Sequence, residues 1–167
     1  MPIAQPSHVF EAHLVWSGAA HGPTRDAATF SRNLDVSFDP LTLAMSAAPG
    51  FRGDGSRANP EQLFVAAVSS CQALTYLVLA ARHGVAVVAY EDVAEGALEF
   101  VDGAMRMSRV TLRPRIVLEA RADVDLARGL VDKAHRGCFI ANSVSTAIGI
   151  EPRIELSEQV EAVKGLL

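Results

Sequence analysis

The chain has 167 residues, enough for one compact domain with a sizeable core and too few for two ordinary ones. Half of the residues are hydrophobic and a fifth are charged, a composition that excludes a disordered chain. The formal net charge of −4 gives no overall attraction to nucleic acid. We therefore expect a single domain over residues 1–167 that does not bind nucleic acid.

The cysteine content bears on the cellular compartment. Only two cysteines are present, Cys71 and Cys138, and they are too far apart for a CxxC redox motif or for a zinc site of paired cysteines. The first residues contain neither a basic region nor an apolar stretch of the kind found in secretory signals. We therefore expect a cytoplasmic protein in which any disulfide is transient or catalytic.

The first third of the chain is rich in strand-like sequence. Residues 9–18 alternate loosely between apolar and polar side chains, and residues 30–38 and 41–46 form two more runs around an Asp-Pro turn. These segments predict a meander of three strands. Residues 48–58 are polar and rich in glycine, and we expect a loop without regular structure.

A long helix should follow. Residues 59–61 read Asn-Pro-Glu, in which asparagine is a favoured N-cap, proline suits the first helical position and the acid complements the positive first turn. The apolar sequence beyond predicts a helix to about His83, with Gly84 at its end. Residues 62–81 carry no charge, so a membrane span is one alternative and the centre of a soluble core is the other.

The rest of the chain predicts a hairpin, a second helix and a last strand. Residues 85–101 and 104–120 are strand-like, and the Asp-Gly pair between them is the signal of a type I′ turn. Asp123 is placed to cap a helix that ends near Cys138. Residues 148–156 form the last strand. This order of elements predicts an α+β fold with mostly antiparallel sheet.

The two cysteines are open to more than one interpretation. Cys71 lies in mid-helix among apolar neighbours, the ordinary setting of a buried cysteine that packs as a small hydrophobic residue. A reactive role needs a thiolate, and hence a cation or hydrogen-bond donor that the fold must supply. Cys138 follows His135 near a helix end, a position that suits a resolving thiol and a packing cysteine equally. A metal site of the cysteines with His83 and His135 has no known ligand spacing, and we expect none.

Three stretches resemble one protein family. Residues 59–71, NPEQLFVAAVSSC, are similar to the signature of the OsmC/Ohr family, the osmotically inducible and organic hydroperoxide resistance proteins. Residues 106–114 and 134–143 are similar to their counterparts in the OsmC-like branch. The resemblance extends over about residues 10–156.

The resemblance implies a thiol peroxidase. Cys71 would attack the O–O bond of a peroxide and become a sulfenic acid, and Cys138 would condense with it to a disulfide. The family also pairs a helix-start glutamate, here Glu61, with an arginine from the N-terminal strands. Arg25 is the preferred candidate for this arginine and Arg32 the other. An external dithiol such as a lipoyl group would be the reductant, and no metal or organic cofactor is expected.

The resemblance also implies an intertwined homodimer, with antiparallel sheets wrapped around a long central helix and two active sites at the subunit interface. Helix geometry agrees, because the ten residues from Glu61 to Cys71 span about 15 Å along one helix. If Glu61 belongs to the site, it has to come from a second chain. The choice between organic and inorganic peroxides stays open.

Two other functions are compatible with the sequence. The chain would be a non-catalytic protein if an apolar pocket held a hydrophobic small molecule and the cysteines were packing residues. It would be membrane-associated if the uncharged helix crossed a bilayer, but the homodimer would bury this helix, so we expect no membrane partner. A disulfide between Cys71 and Cys138 after peroxide treatment separates the peroxidase from the binding protein, and sedimentation with membranes tests the third hypothesis.

Overall fold

The computed structural model describes residues 7–157. The chain divides into two compact units, Met1–Pro60 and Glu61–Leu167. The single domain expected over residues 1–167 stays a prediction, and its two ends lie outside the described residues.

The first unit contains a three-stranded antiparallel sheet in the order β1-β2-β3: β1 (His13–Val15), β2 (Leu34–Phe38) and β3 (Leu41–Met45). The predicted meander is confirmed, although β1 is shorter than residues 9–18. The chain leaves the strand at Trp16, whose indole N–H donates to the Ser31 carbonyl at 2.7 Å, and enters a 3₁₀ helix, Ser17–His21.

The loop after β3 is more ordered than the sequence predicted. A short 3₁₀ helix, Pro49–Phe51, lies within it, because proline at its start holds the backbone in a helical φ. Ser46 anchors the loop by accepting the N–H of Asp54 at 3.0 Å. Gly53 passes so close to Ala47 that an added Cβ would lie 1.5 Å from the Ala47 carbonyl oxygen, and this approach requires glycine.

Between Pro60 and Leu156 the second unit contains two α-helices, six strands and a short 3₁₀ helix, Ala141–Ser143. The α-helices and strands are α1 (Pro60–Arg82), β4 (Val87–Asp92), β5 (Glu95–Val101), β6 (Ala104–Leu112), β7 (Pro114–Leu118), α2 (Val124–Gly137), β8 (Ala147–Ile150) and β9 (Arg153–Leu156). The predicted long helix is confirmed, and Gly84 follows it with a φ of 72°, a left-handed conformation that glycine adopts at little cost. Asp102 and Gly103 have φ values of 51° and 82°, as the predicted type I′ turn requires.

Each of the three long strands predicted in this unit is in fact two strands. β4 and β7 pair in one sheet with β9, and β5 and β6 pair in another with β8. Pro114 and Pro152 supply no backbone N–H, which favours a break in the hydrogen-bonding ladder. At the break between β6 and β7, the carboxylate of Asp92 accepts the backbone N–H of Arg113 at 2.7 Å.

Four of the six strand pairings among the described residues are antiparallel, as the sequence predicts, and the second unit adds two parallel pairings. β6 pairs with β8, and β7 with β9, in parallel. Parallel neighbours need a long crossover connection. The segment between β7 and β8 contains α2 and is long enough to return the chain, so that β8 and β9 lie parallel to β6 and β7.

One side of α1 is buried. Its fully buried residues recur every fourth position and are Val68, Gln72, Tyr76 and Ala80. Tyr76 and Ala80 join a core with Ile116, Leu118 and the buried residues of α2. Those residues are Ala127, Leu130, Val131 and Ala134. The opposite side of α1 exposes Leu74 and Val78, by 65% and 50%. By length and composition alone α1 could also cross a membrane.

Candidate active site

Cys71 and Cys138 meet where α1 passes the C-terminal end of α2. Cys71 is half-buried on α1, and Cys138, the residue after α2, is fully buried. The backbone of Gly137 lies close to α1, because a Cβ added there would be 3.5 Å from Thr75 Cγ2. The two thiols lie close enough for each to shift the pKa of the other. The fold thus joins two side chains that are distant in sequence.

The turn after Cys138 directs backbone donors at both sulfur atoms. The N–H groups of Phe139 and Ile140 lie close enough to the Cys71 thiol to lower its pKa. The N–H of Ala141 lies 3.5 Å from the Cys138 Sγ. The turn is closed by Asn142, whose N–H donates to the Cys138 carbonyl at 3.0 Å. Oriented peptide N–H groups carry partial positive charge, so they stabilise a nearby thiolate without a cation.

The two thiols differ in acidity. Burial raises the pKa of Cys71, but the hydrogen bond from Cys138 and those from the Ile140 and Phe139 N–H groups outweigh it, so the pKa lies below that of an ordinary thiol. Burial raises the pKa of Cys138, and its hydrogen bond with Cys71 raises it further. Cys71 therefore ionises first, beside a neutral thiol. This is an arrangement from which oxidation can form a disulfide.

An apolar groove opens beside Cys71. Its volume is about 610 Å³, and Leu74 and Val78 of α1 line one side while Phe139 and Ile140 line the other. Phe139 is 81% exposed. Arg82 lies at the far end of this face of α1. The groove gives a small apolar molecule access to the Cys71 sulfur.

Glu61 lies in the first turn of α1. Because α1 is one continuous helix, the rise per residue places Glu61 about 15 Å from Cys71 along the axis. Its Oε2 atom is buried and has no hydrogen-bond partner among the described residues. Within one chain, therefore, Glu61 does not reach the Cys71 thiol, as helix geometry predicted. Its role at the site stays a prediction.

The two candidate arginines lie in the first unit, whereas the cysteines lie in the second. Arg25 is exposed. Arg32 donates to the carbonyls of Ala27 and Phe30 at 2.6 and 3.0 Å, and its guanidinium carbon lies 4.3 Å from the centre of the Phe30 ring. The choice between Arg25 and Arg32 stays a prediction.

Three contributors to the site were missed by sequence reasoning. The N–H groups of Phe139 and Ile140 belong to the backbone, so their role cannot be recognised from side-chain types. Thr75 lies one turn after Cys71, and its hydroxyl donates to the Cys71 carbonyl at 2.8 Å. The spacing of four residues between them was the available signal. No cluster of three or more metal-binding side chains was found within residues 7–157.

Solved structures share this fold. An OsmC-like protein of unknown function from Vibrio cholerae is 29% identical, with a TM-score of 0.80 over 87% of this chain and 99% of its own. An organic hydroperoxide resistance protein OsmC from Legionella pneumophila is 18% identical, with a TM-score of 0.66 over 90% of this chain and 99% of its own. The predicted class of fold, α+β with a long helix and predominantly antiparallel or mixed sheets, is thereby confirmed.

The family follows from a sequence match. The family model described as OsmC-like protein matches residues 53–153, more than half of the chain. The chain belongs to the OsmC-like protein family. The uncharacterized protein YmaD of Bacillus subtilis is 25% identical over 114 residues, which cover 66% of this chain and 76% of that protein.

Proposed function

We propose that this protein is a thiol-dependent peroxidase in which Cys71 reduces a hydroperoxide and Cys138 resolves the product. The observation that carries the proposal is the pair of thiols itself: Cys71 is half-buried beside the groove, Cys138 is buried next to it, and the pKa of Cys71 is lowered while that of Cys138 is raised. A thiolate is the nucleophile that attacks peroxides, and a neighbouring thiol can prevent its over-oxidation.

The reaction balances with the two cysteines and one dithiol. The Cys71 thiolate attacks the hydroperoxide, the O–O bond breaks, and the leaving alkoxide takes up a proton to become the alcohol. The resulting sulfenic acid condenses with the Cys138 thiol, which forms the disulfide and releases water. A dithiol then reduces the disulfide by exchange and is itself oxidised. None of these three steps requires a metal or an organic cofactor.

The groove beside Cys71 favours organic hydroperoxides. Leu74, Val78, Phe139 and Ile140 offer apolar surface to an alkyl or aryl group, and burial of that group adds binding free energy that hydrogen peroxide does not gain. The same opening lets a dithiol such as a lipoyl group approach the half-buried Cys71 sulfur. We place the reaction in the cytoplasm, where both free cysteines would be kept reduced.

The proposal includes a homodimer with its active sites at the subunit interface. A partner subunit packed beside the exposed apolar side of α1 would form a further wall of the groove and leave its mouth open, and the buried Glu61 Oε2 would find a partner near that subunit's thiol. In this arrangement Glu61 and an N-terminal arginine, Arg25 by preference, would help hold the reacting thiolate.

Steady-state peroxide consumption tests the peroxidase. With cumene hydroperoxide and dihydrolipoamide, Cys71→Ser should fall to the uncatalysed rate because the nucleophile is lost. Cys138→Ser should keep the first oxidation but accumulate sulfinic acid at Cys71, because nothing traps the sulfenic acid. Hydrogen peroxide in place of cumene hydroperoxide measures the organic preference. Undiminished consumption by Cys71→Ser would reject the assignment.

The groove also favours the alternative of a non-catalytic protein that binds a hydrophobic small molecule. One equivalent of cumene hydroperoxide distinguishes the two functions when the protein is examined by mass spectrometry. A peroxidase gives a product that is lighter by two hydrogen atoms, with Cys71 and Cys138 linked. A binding protein keeps both thiols reduced.

A further inference from the structure

We propose that Gln72 is a positioning residue, which holds Cys138 against Cys71 through a hydrogen bond from α1 to α2. The inference rests on the thiol pair of the proposed function and adds to it a residue that touches neither sulfur.

Gln72 follows Cys71 in sequence but lies on the buried side of α1, where it is 2% exposed. Its Nε2 donates to the backbone carbonyl of Val131 in α2 at 3.2 Å. One turn of α1 therefore presents a thiol to the groove and an amide to the neighbouring helix. The position of α2 is thereby tied to the turn that carries Cys71.

The glutamine is not explained by packing. Its Oε1 is buried and has no hydrogen-bond partner among the described residues, and burial of an unpartnered amide oxygen destabilises a fold relative to an apolar side chain of similar size. Val68 and Ala80, on the same buried stripe of α1, are apolar. Unlike these apolar residues, Gln72 donates a directional hydrogen bond to α2.

The bond is well placed to set the position of Cys138. Val131 precedes Cys138 by two helical turns, which puts the two residues on nearly the same side of α2, about 10 Å apart along its axis. Cys138 continues the last turn of the helix, because its N–H donates to the His135 carbonyl at 3.2 Å. Fixing Val131 relative to α1 thus limits rotation of α2 about its axis, which would carry Cys138 away from Cys71.

A disulfide forms readily only between thiols that are held in a narrow range of geometry. Its equilibrium constant rises with the effective concentration of one thiol at the other. Loss of the Gln72 bond should therefore destabilise the Cys71–Cys138 disulfide relative to the dithiol, and raise its reduction potential.

The test is a redox titration that uses no peroxide. Wild type, Gln72→Met and Gln72→Leu are equilibrated with mixtures of reduced and oxidised dithiothreitol, then alkylated and weighed by mass spectrometry. Two electrons and two protons pass from the cysteine pair to the cyclic disulfide of dithiothreitol. Tyr76→Phe is the matched control, because it removes a buried hydroxyl on the same stripe that has no hydrogen-bond partner among the described residues.

We expect the equilibrium constant for disulfide formation to fall about tenfold in both Gln72 variants, which raises the potential by about 30 mV. In Tyr76→Phe it should stay within about twofold of wild type, because packing changes alone have small effects at a site that keeps its hydrogen bonds. Urea unfolding of the reduced proteins shows whether each variant is folded, and the second Gln72 variant serves if the first is not.

An unchanged equilibrium constant in a folded Gln72 variant would overturn the inference, even if that variant were less stable. Failure of wild type to form the disulfide at any potential would overturn it as well. Failure of wild type to consume hydroperoxides would instead reject the peroxidase, while the same titration would still decide the role of Gln72.

Discussion

Cys71 and Cys138 begin as identical side chains, and their surroundings give them opposite shifts in pKa. Donors from the turn after α2 stabilise the thiolate of Cys71, whereas burial and the neighbouring sulfur keep Cys138 neutral. The lowered pKa of Cys71 comes from the Cys138 thiol, from peptide N–H groups and from the Thr75 hydroxyl, all of the same chain. An arginine from the N-terminal strands would add to this stabilisation rather than create it.

The pH dependence of alkylation should show this difference. Because the pKa of Cys71 is lowered, its reaction with iodoacetamide should persist to a lower pH than that of a free thiol. In Cys138→Ala the rate profile should shift to higher pH, since a hydrogen bond that stabilises the thiolate is lost. Cys71→Ser reports the slow alkylation of Cys138 alone. An unshifted profile in Cys138→Ala would contradict the role of this hydrogen bond.

At the scale of elements, α2 delivers Cys138 and the donors that follow it. The helix begins at a side-chain cap, because the Asp123 carboxylate accepts the N–H of Leu126 at 2.9 Å. It ends at Gly137, beside Thr75 of α1. The geometry of the thiols therefore depends on a helix that is fixed at its start by its cap and along its length by packing and by Gln72.

Removal of the cap should destabilise the protein as a whole. We expect Asp123→Ala to lower the free energy of unfolding by about 1 kcal/mol, since an N–H of the first turn loses its acceptor. Urea denaturation monitored by circular dichroism measures the change. The control is Asp132→Ala, an exposed acid in the middle of the same helix, which should change stability by less than about 0.5 kcal/mol. Equal effects of the two substitutions would argue against the cap.

At the scale of the whole molecule, the single chain leaves two features incomplete. α1 exposes Leu74 and Val78, and Glu61 has a buried oxygen without a partner among residues 7–157. Both would be satisfied if a second copy packed against α1 and shared its active sites. A site that is split between subunits has a consequence that mixing experiments can measure.

Cys71→Ser and Glu61→Gln should restore activity to each other, provided that each variant is inactive alone. In a heterodimer of Cys71→Ser and Glu61→Gln, one site keeps both wild-type residues and the other keeps neither. Random reassortment of equal amounts should therefore recover about a quarter of wild-type peroxidase activity, provided that the dimer is symmetric. Co-refolding from urea prepares the mixture, and separately refolded variants mixed afterwards are the control. No recovery, or a monomer by light scattering, would contradict the split site.

Local features of this protein were determined by its sequence. The helix start at residues 59–61, the end before Gly84, the turn at residues 102–103 and the cap at Asp123 each depend on neighbours a few positions away, so short-range rules predicted them. The family signature identified the fold and proposed Cys71 as the reactive thiol.

Only the tertiary structure decided which of the two cysteines has the lowered pKa and which groups lower it. Three features join segments that are distant in the chain. They are the parallel pairing of β6 with β8 and of β7 with β9, the proximity of Cys71 and Cys138, and the N–H groups near Cys71. Peptide groups are the same at every position, so their orientation cannot be predicted from residue types. The sequence did not predict a role for Gln72 for the same reason, because its hydrogen-bond partner is a backbone carbonyl on another helix.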